Sequence, residues 1–104
     1  MKQILDIIRQ EMEQAFASCG YEEKYGMASV SNRPDLCQYQ CNGAMAAAKA
    51  YKKAPLAIAE EVVACLHQSE TGSRLFEKAE TVPPGFINLN LKSTFLAEFL
   101  EQSR

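Results

Sequence analysis

Val82-Pro83-Pro84-Gly85-Phe86-Ile87-Asn88-Leu89-Asn90-Leu91 is the stretch on which the fold turns. Successive side chains of a strand point to opposite faces, so Ile87, Leu89 and Leu91 share one face while Phe86, Asn88 and Asn90 share the other. The first is a core face and the second is not. Pro83 and Pro84 have fixed φ and no backbone donor, and Gly85 admits φ > 0. The residues ahead of Phe86 therefore form a turn or a sheet entry, not a central strand. Lys, Thr or Glu would be the ordinary filling of a solvated strand face. A Phe followed at spacing two by carboxamides can instead stack on a planar group and read its donors and acceptors, which is how proteins recognise unstacked bases. The same residues also fit a ring covered by a neighbouring loop beside a merely polar face, so this pattern alone leaves both readings open.

A chain of 104 residues has room for one domain with one core, expected to span 1–104. No apolar run approaches membrane-spanning length, and Met1-Lys2-Gln3-Ile4 opens an amphipathic segment, not a signal peptide. These features point to a cytoplasmic protein with no membrane partner. Four cysteines (Cys19, Cys37, Cys41 and Cys65) lack the C-x-x-C spacing of zinc sites and are read as reduced, mostly buried thiols. A net charge of −2 argues against a stand-alone nucleic-acid binder, because phosphate contacts need a surplus of Lys and Arg. No DNA partner is expected, and any contact with RNA must be local.

Working outward from the strand, Leu75 to Val82 reads as a second strand, with Phe76, Lys78, Glu80 and Val82 alternating with Leu75, Glu77, Ala79 and Thr81. The short prolyl connection pairs the two antiparallel. Ser93 is placed as the cap of a helix over Thr94 to Gln102, buried through Phe95, Leu96, Phe99 and Leu100. Upstream, Lys2 to Cys19 carries a helical stripe (Ile4, Leu5, Ile8, Met12, Ala15, Phe16 and Cys19) that stops at Gly20. Gly26 to Ser31 alternates weakly as a strand, Asn32 to Asp35 is turn chemistry, and Leu36 to Cys41 is extended or loop. Asn42 is the expected N-cap of an alanine-rich helix from Ala44 to Lys53, whose small side chains suit close packing. Pro55 then opens a helix over Leu56 to Gln68, buried through Ile58, Ala59, Val62, Val63 and Leu66, and Ser69 to Ser73 is a polar loop. The expected fold is α/β in the α+β sense: a small, mostly antiparallel sheet packed against about four helices.

Catalytic chemistry is nearly absent. His67 is the sole histidine, no phosphate loop occurs, and Glu60-Glu61 are neighbours on a solvated helix flank. Lys49, Lys52 and Lys53, at spacings of three and four, form a basic cluster on one helix face. That cluster fits either compensation of the helix dipole or contact with phosphate.

Three stretches together resemble one family: Tyr39-Gln40-Cys41-Asn42-Gly43-Ala44-Met45-Ala46, Ala54-Pro55 with Ile58-Ala59-Glu60, and Pro84-Gly85-Phe86-Ile87-Asn88-Leu89. In this order and spacing they are similar to the N-terminal additional domain of arginyl-tRNA synthetases. The resemblance implies a small α/β domain that precedes a class I catalytic core and touches the D-loop at the elbow of tRNA-Arg. It further implies that an aromatic and a carboxamide on the Gly-Phe-Ile-Asn strand make the contact, here Phe86 and Asn88. Gln40, Asn42 and the Lys49, Lys52 and Lys53 cluster would support the loop or the backbone. The family commonly has Phe-Gly-Asp where this chain has Leu36-Cys37-Gln38, and neither His-x-Gly-His nor Lys-Met-Ser-Lys-Ser is present. The resemblance therefore makes the chain a non-catalytic fragment of a longer enzyme. It needs no cofactor of its own, while the parent uses ATP with Mg and supplies a catalytic domain as partner in the same polypeptide. The rival reading is a protein-interaction module whose outer strand face docks on another protein domain.

Overall fold

In a computed structural model, which describes residues 3–102, the chain forms five α-helices and a four-stranded sheet. Lys2, where the first helix is expected to begin, lies outside the described residues. Helix α1 (Ile4–Ser18) buries Ile8, Met12, Ala15 and Phe16 at the spacing its sequence dictates. It closes in a Schellman arrangement: Gly20, at φ +90°, donates from N to Ala17 O at 3.0 Å, and Tyr21 N reaches Phe16 O at 3.0 Å. A 3₁₀ turn (Glu23–Tyr25) leads to β1 (Ala28–Val30), β2 (Tyr39–Cys41), α2 (Gly43–Tyr51) and α3 (Pro55–Gln68). Pro55 starts α3 where its missing donor costs nothing. After α4 (Glu70–Leu75) come β3 (Phe76–Val82), β4 (Phe86–Leu91) and α5 (Ser93–Gln102).

Strand order is β1-β2-β4-β3, and every neighbouring pair is antiparallel. β2 and β3 therefore run in the same direction on either side of β4, joined by the α2–α4 crossover. The stretch that opens with Phe86 is thus the centre of the sheet. Ile87 and Leu89 are fully buried with Cys41, Ile58, Val62 and Leu66 against α1, α2 and α3. Each such aliphatic side chain stabilises the fold by about 1.5–3 kcal/mol.

Several elements differ from expectation. Ser69 to Ser73 is not a loop: Ser69 Oγ accepts from Gly72 N at 3.2 Å and caps α4, so a polar stretch holds one extra helical turn. Leu75 ends that helix and does not start a strand. β3 does not alternate strictly, because a register shift between Phe76 and Lys78 lets Phe76 and Ala79 both face the core. Asn42 occupies the N-cap position of α2, but its side chain makes no capping bond.

Helix α5 differs in both its start and its burial. Leu96 N donates to Lys92 O at 3.1 Å, so Ser93 is the first helical residue and not the cap. No residue of α5 is fully buried; Phe95 and Leu96 only flank the core, and Leu100 is 65% exposed. Its apolar stripe borders the core without being enclosed by it.

Candidate nucleic-acid interface

The helices pack on the core face of the sheet, and alternation puts the other set of side chains on the opposite face. Register aligns Ser29, Gln40, Asn88 and Glu80 in one row across all four strands. Phe86 lies on this face opposite Val82, and Asn90 opposite Lys78. Gln40 Nε2 donates to Asn88 Oδ1 at 3.0 Å, so the two carboxamides form a unit. Asn88 is nevertheless only 6% exposed, against the open position expected for it. The reason is its place on the central strand, flanked by Gln40 on one side and by Glu80, itself paired with Lys78 at 3.1 Å, on the other. Phe86 is half-buried.

The second carboxamide of β4 serves the sheet itself. Asn90 Oδ1 accepts from Gln38 N at 2.8 Å while Gln38 Oε1 accepts from Leu91 N at 2.8 Å, which closes the end of the β2–β4 ladder. At the other end, Asn42 follows Cys41, whose partner is Ile87, and so lies near Phe86 in the register. It lines a cavity of about 440 Å³ with Arg9, Lys24 and Ser29. Those three come from α1, the 3₁₀ turn and β1, and no local motif in the sequence marks them. Arg9 is oriented by donation from Nε to Ala28 O at 2.9 Å.

The lysines do not share one helix face as expected. α2 ends at Tyr51, and Lys52 turns left-handed at φ 53° ahead of Ala54-Pro55. Lys49 and Lys52 are exposed. Lys53 is held by a separate network: its Nζ donates to Glu61 Oε2 at 2.9 Å and to Tyr21 Oη at 2.6 Å, and Tyr21 Oη donates to Glu61 Oε1. These bonds, first from Tyr21 and then from Lys53, hold the Glu61 carboxyl below its usual range. Burial, then the bond to Glu61, raises the Tyr21 phenol. The network joins the end of α1, the α2–α3 connection and α3.

A depressed folded-state pKa stabilises above the unfolded value, and that stability is lost as pH falls through the folded value. Acidification from about pH 4.3 downward is thus expected to remove the contribution of Glu61. Urea unfolding measured across that range should show a shallower acid loss for Glu61→Gln than for the unaltered chain. Equal slopes would mean the network carries no linkage.

Among the described residues no helix is long and apolar enough to cross a membrane. A family model described as "Arginyl tRNA synthetase N terminal domain" matches residues 2–91. An arginine–tRNA ligase of Agathobacter rectalis is 48% identical over 104 residues, covering 100% of this chain and 17% of that protein. One from Alkaliphilus oremlandii is 46% identical over 102 residues, covering 98% of this chain and 17% of its own length. The chain spans about a sixth of the curated relatives it matches. Among solved structures, the arginyl-tRNA synthetase of Plasmodium falciparum shares the fold, with a TM-score of 0.80 at 22% identity, over 98% of this chain and 18% of that one. With the family model covering most of its length and relatives near half-identical from end to end, this chain belongs to the arginyl-tRNA synthetase N-terminal domain family.

Proposed function

We propose that this chain, spanning 1–104 as one domain, is the tRNA-docking domain of a longer, cytoplasmic arginine–tRNA ligase, and that it recognises the D-loop at the elbow of tRNA-Arg. The observation that carries this reading is the Gln40–Asn88 carboxamide pair beside Phe86 on the face of the sheet opposite the helices. The bond between them uses one Gln40 donor and one Asn88 acceptor. Asn88 Nδ2 and Gln40 Oε1 retain the donor and acceptor that a base edge requires. Phe86 stacks on the splayed base, and Asn42 stands at the same end of the sheet. Lys49 and Lys52 contact the RNA backbone, with Lys53 anchoring their segment through Glu61. Because the net charge is −2, binding by this domain alone is weak and salt-sensitive. Arginine activation with ATP and Mg belongs to the catalytic domain of the same longer polypeptide.

The test is kinetic and uses the longer ligase. Asn88→Ala should raise the KM for tRNA-Arg about 5- to 150-fold, the range of one lost base contact. The KM values for arginine and ATP should not change. A tRNA-Arg transcript with a substituted D-loop should lose as much with the unaltered enzyme, and the variant should not distinguish the two transcripts. Gln40→Ala, which removes the supporting carboxamide, should show a smaller effect of the same kind. If Asn88→Ala uses tRNA normally per folded molecule and instead loosens a contact with another protein domain, the face is a protein-docking surface and the reading falls.

A further inference from the structure

We propose that Cys19 and Cys65 form a dithiol that a peroxide oxidises to an intramolecular disulfide, pinning the end of α1 to α3. The two residues are 46 positions apart, Cys19 at the C-cap of α1 and Cys65 in the last turn of α3. Their Sγ atoms stand 2.8 Å apart, well inside ordinary non-bonded contact and a small side-chain rotation from the roughly 2.05 Å of a disulfide. Cys19 is further oriented by donation from Sγ to Glu61 O at 3.4 Å. Both thiols are half-buried, and Cys65 lines a surface cavity of about 210 Å³ with Glu11, Gln14, Ala15, Ser18 and Ser69. A molecule the size of hydrogen peroxide fits there. Cys37 and Cys41 are buried elsewhere, and the Cys41 thiol donates to Tyr25 O at 3.7 Å.

The geometry divides the roles. Cys65, and not Cys19, lines the cavity and so meets the peroxide first; Cys19, whose thiol is pushed up to about 12 by burial and then by the bond to Cys65, acts second. The Cys65 sulfur, at the cavity, attacks one peroxide oxygen: an S–O bond forms, the O–O bond breaks, and the departing hydroxide leaves as water with the Cys65 proton. The Cys19 sulfur then attacks the sulfenic sulfur of Cys65: the S–S bond forms, the S–O bond breaks, and hydroxide leaves as a second water with the Cys19 proton. Two thiols and one peroxide become one disulfide and two waters. The bond closes a loop through the Tyr21–Lys53–Glu61 network, β1, β2 and α2, which restricts the unfolded chain.

The reduced full chain, treated with hydrogen peroxide and then alkylated in denaturant, is expected to lose the mass of two hydrogens and to alkylate at Cys37 and Cys41 only. Tryptic digestion should yield one peptide pair joined through Cys19 and Cys65. The thermal midpoint should rise by roughly 10 °C and return on addition of dithiothreitol. Cys19→Ser and Cys65→Ser should each abolish the linked pair, and in Cys19→Ser the remaining Cys65 should stop at a sulfenic acid that dimedone traps. Four alkylatable thiols after peroxide would overturn the proposal. So would the same linked product in either variant, oxidation of Cys65 to a sulfinic acid without a bond, or a lowered thermal midpoint in the linked protein.

Discussion

Gly43→Ala is expected to destabilise the domain by about 2–3 kcal/mol, although it adds one methyl group and a better helix former. A Cβ at position 43 would lie 1.6 Å from Tyr25 O and 2.7 Å from Tyr25 C. Both are backbone atoms of the 3₁₀ turn, so no rotamer change relieves the clash. α2 must move off the turn, and Ala44 and Ala47, both fully buried, must move with it. Overpacking typically costs about 1–3 kcal/mol and occasionally more, and a clash with backbone atoms at this distance lies at the upper end of that range. Replacing Gly by Ala in a helix returns at most about 1 kcal/mol. The loss wins. Gly20→Ala is the control: its φ of +90° strains an alanine, but nothing lies within 4 Å of the new Cβ, and the cost should stay near 1–2 kcal/mol. Urea unfolding of both variants separates the two mechanisms. A Gly43→Ala chain as stable as the unaltered one would show that the turn yields freely.

The same position illustrates what the residues reveal on their own. Ala44 to Ala50 announces a helix made for close approach, because small side chains permit it, but nothing in the chain names Tyr25 as the neighbour. Periodic elements were legible for a local reason. The stripe of α1 and the alternation of β4 each encode a buried face within one segment, and Gly20 and Pro55 mark boundaries through their own backbone restrictions. What escaped was decided across segments. The Ser69 cap overrides a polar composition, and the bulge at Phe76 follows from two residues that both seek the core. Lys53 is matched by a glutamate eight residues on, through a turn that periodicity does not foresee. The meeting of Cys19 with Cys65 depends on how α1 packs against α3. In the candidate site, the outward face was readable from alternation, whereas the burial of Asn88 and its bond to Gln40 required the strand order β2-β4-β3.

Strand β4 is where structure and proposed recognition separate residue by residue. Ile87→Ala and Leu89→Ala should each cost about 2–5 kcal/mol of folding free energy, since both side chains are fully buried and the truncation leaves a cavity as well as a lost transfer term. Phe86→Ala should behave differently. The ring is half-buried on the opposite face against Val82, so its removal uncovers little core. In the longer ligase, however, the same change should weaken tRNA use by about 1–3 kcal/mol, the worth of one base–aromatic stack. The chain alternates between two kinds of effect at spacing one. Measuring the unfolding free energy and the KM for tRNA-Arg on all three variants reads both quantities on one strand. Core truncations should lower the amount of folded enzyme while each folded molecule keeps its tRNA KM, and Phe86→Ala should do the reverse. Should Phe86→Ala lose as much stability as Leu89→Ala while the surviving folded molecules use tRNA normally, the ring is part of the packing, and recognition by stacking at this face is excluded.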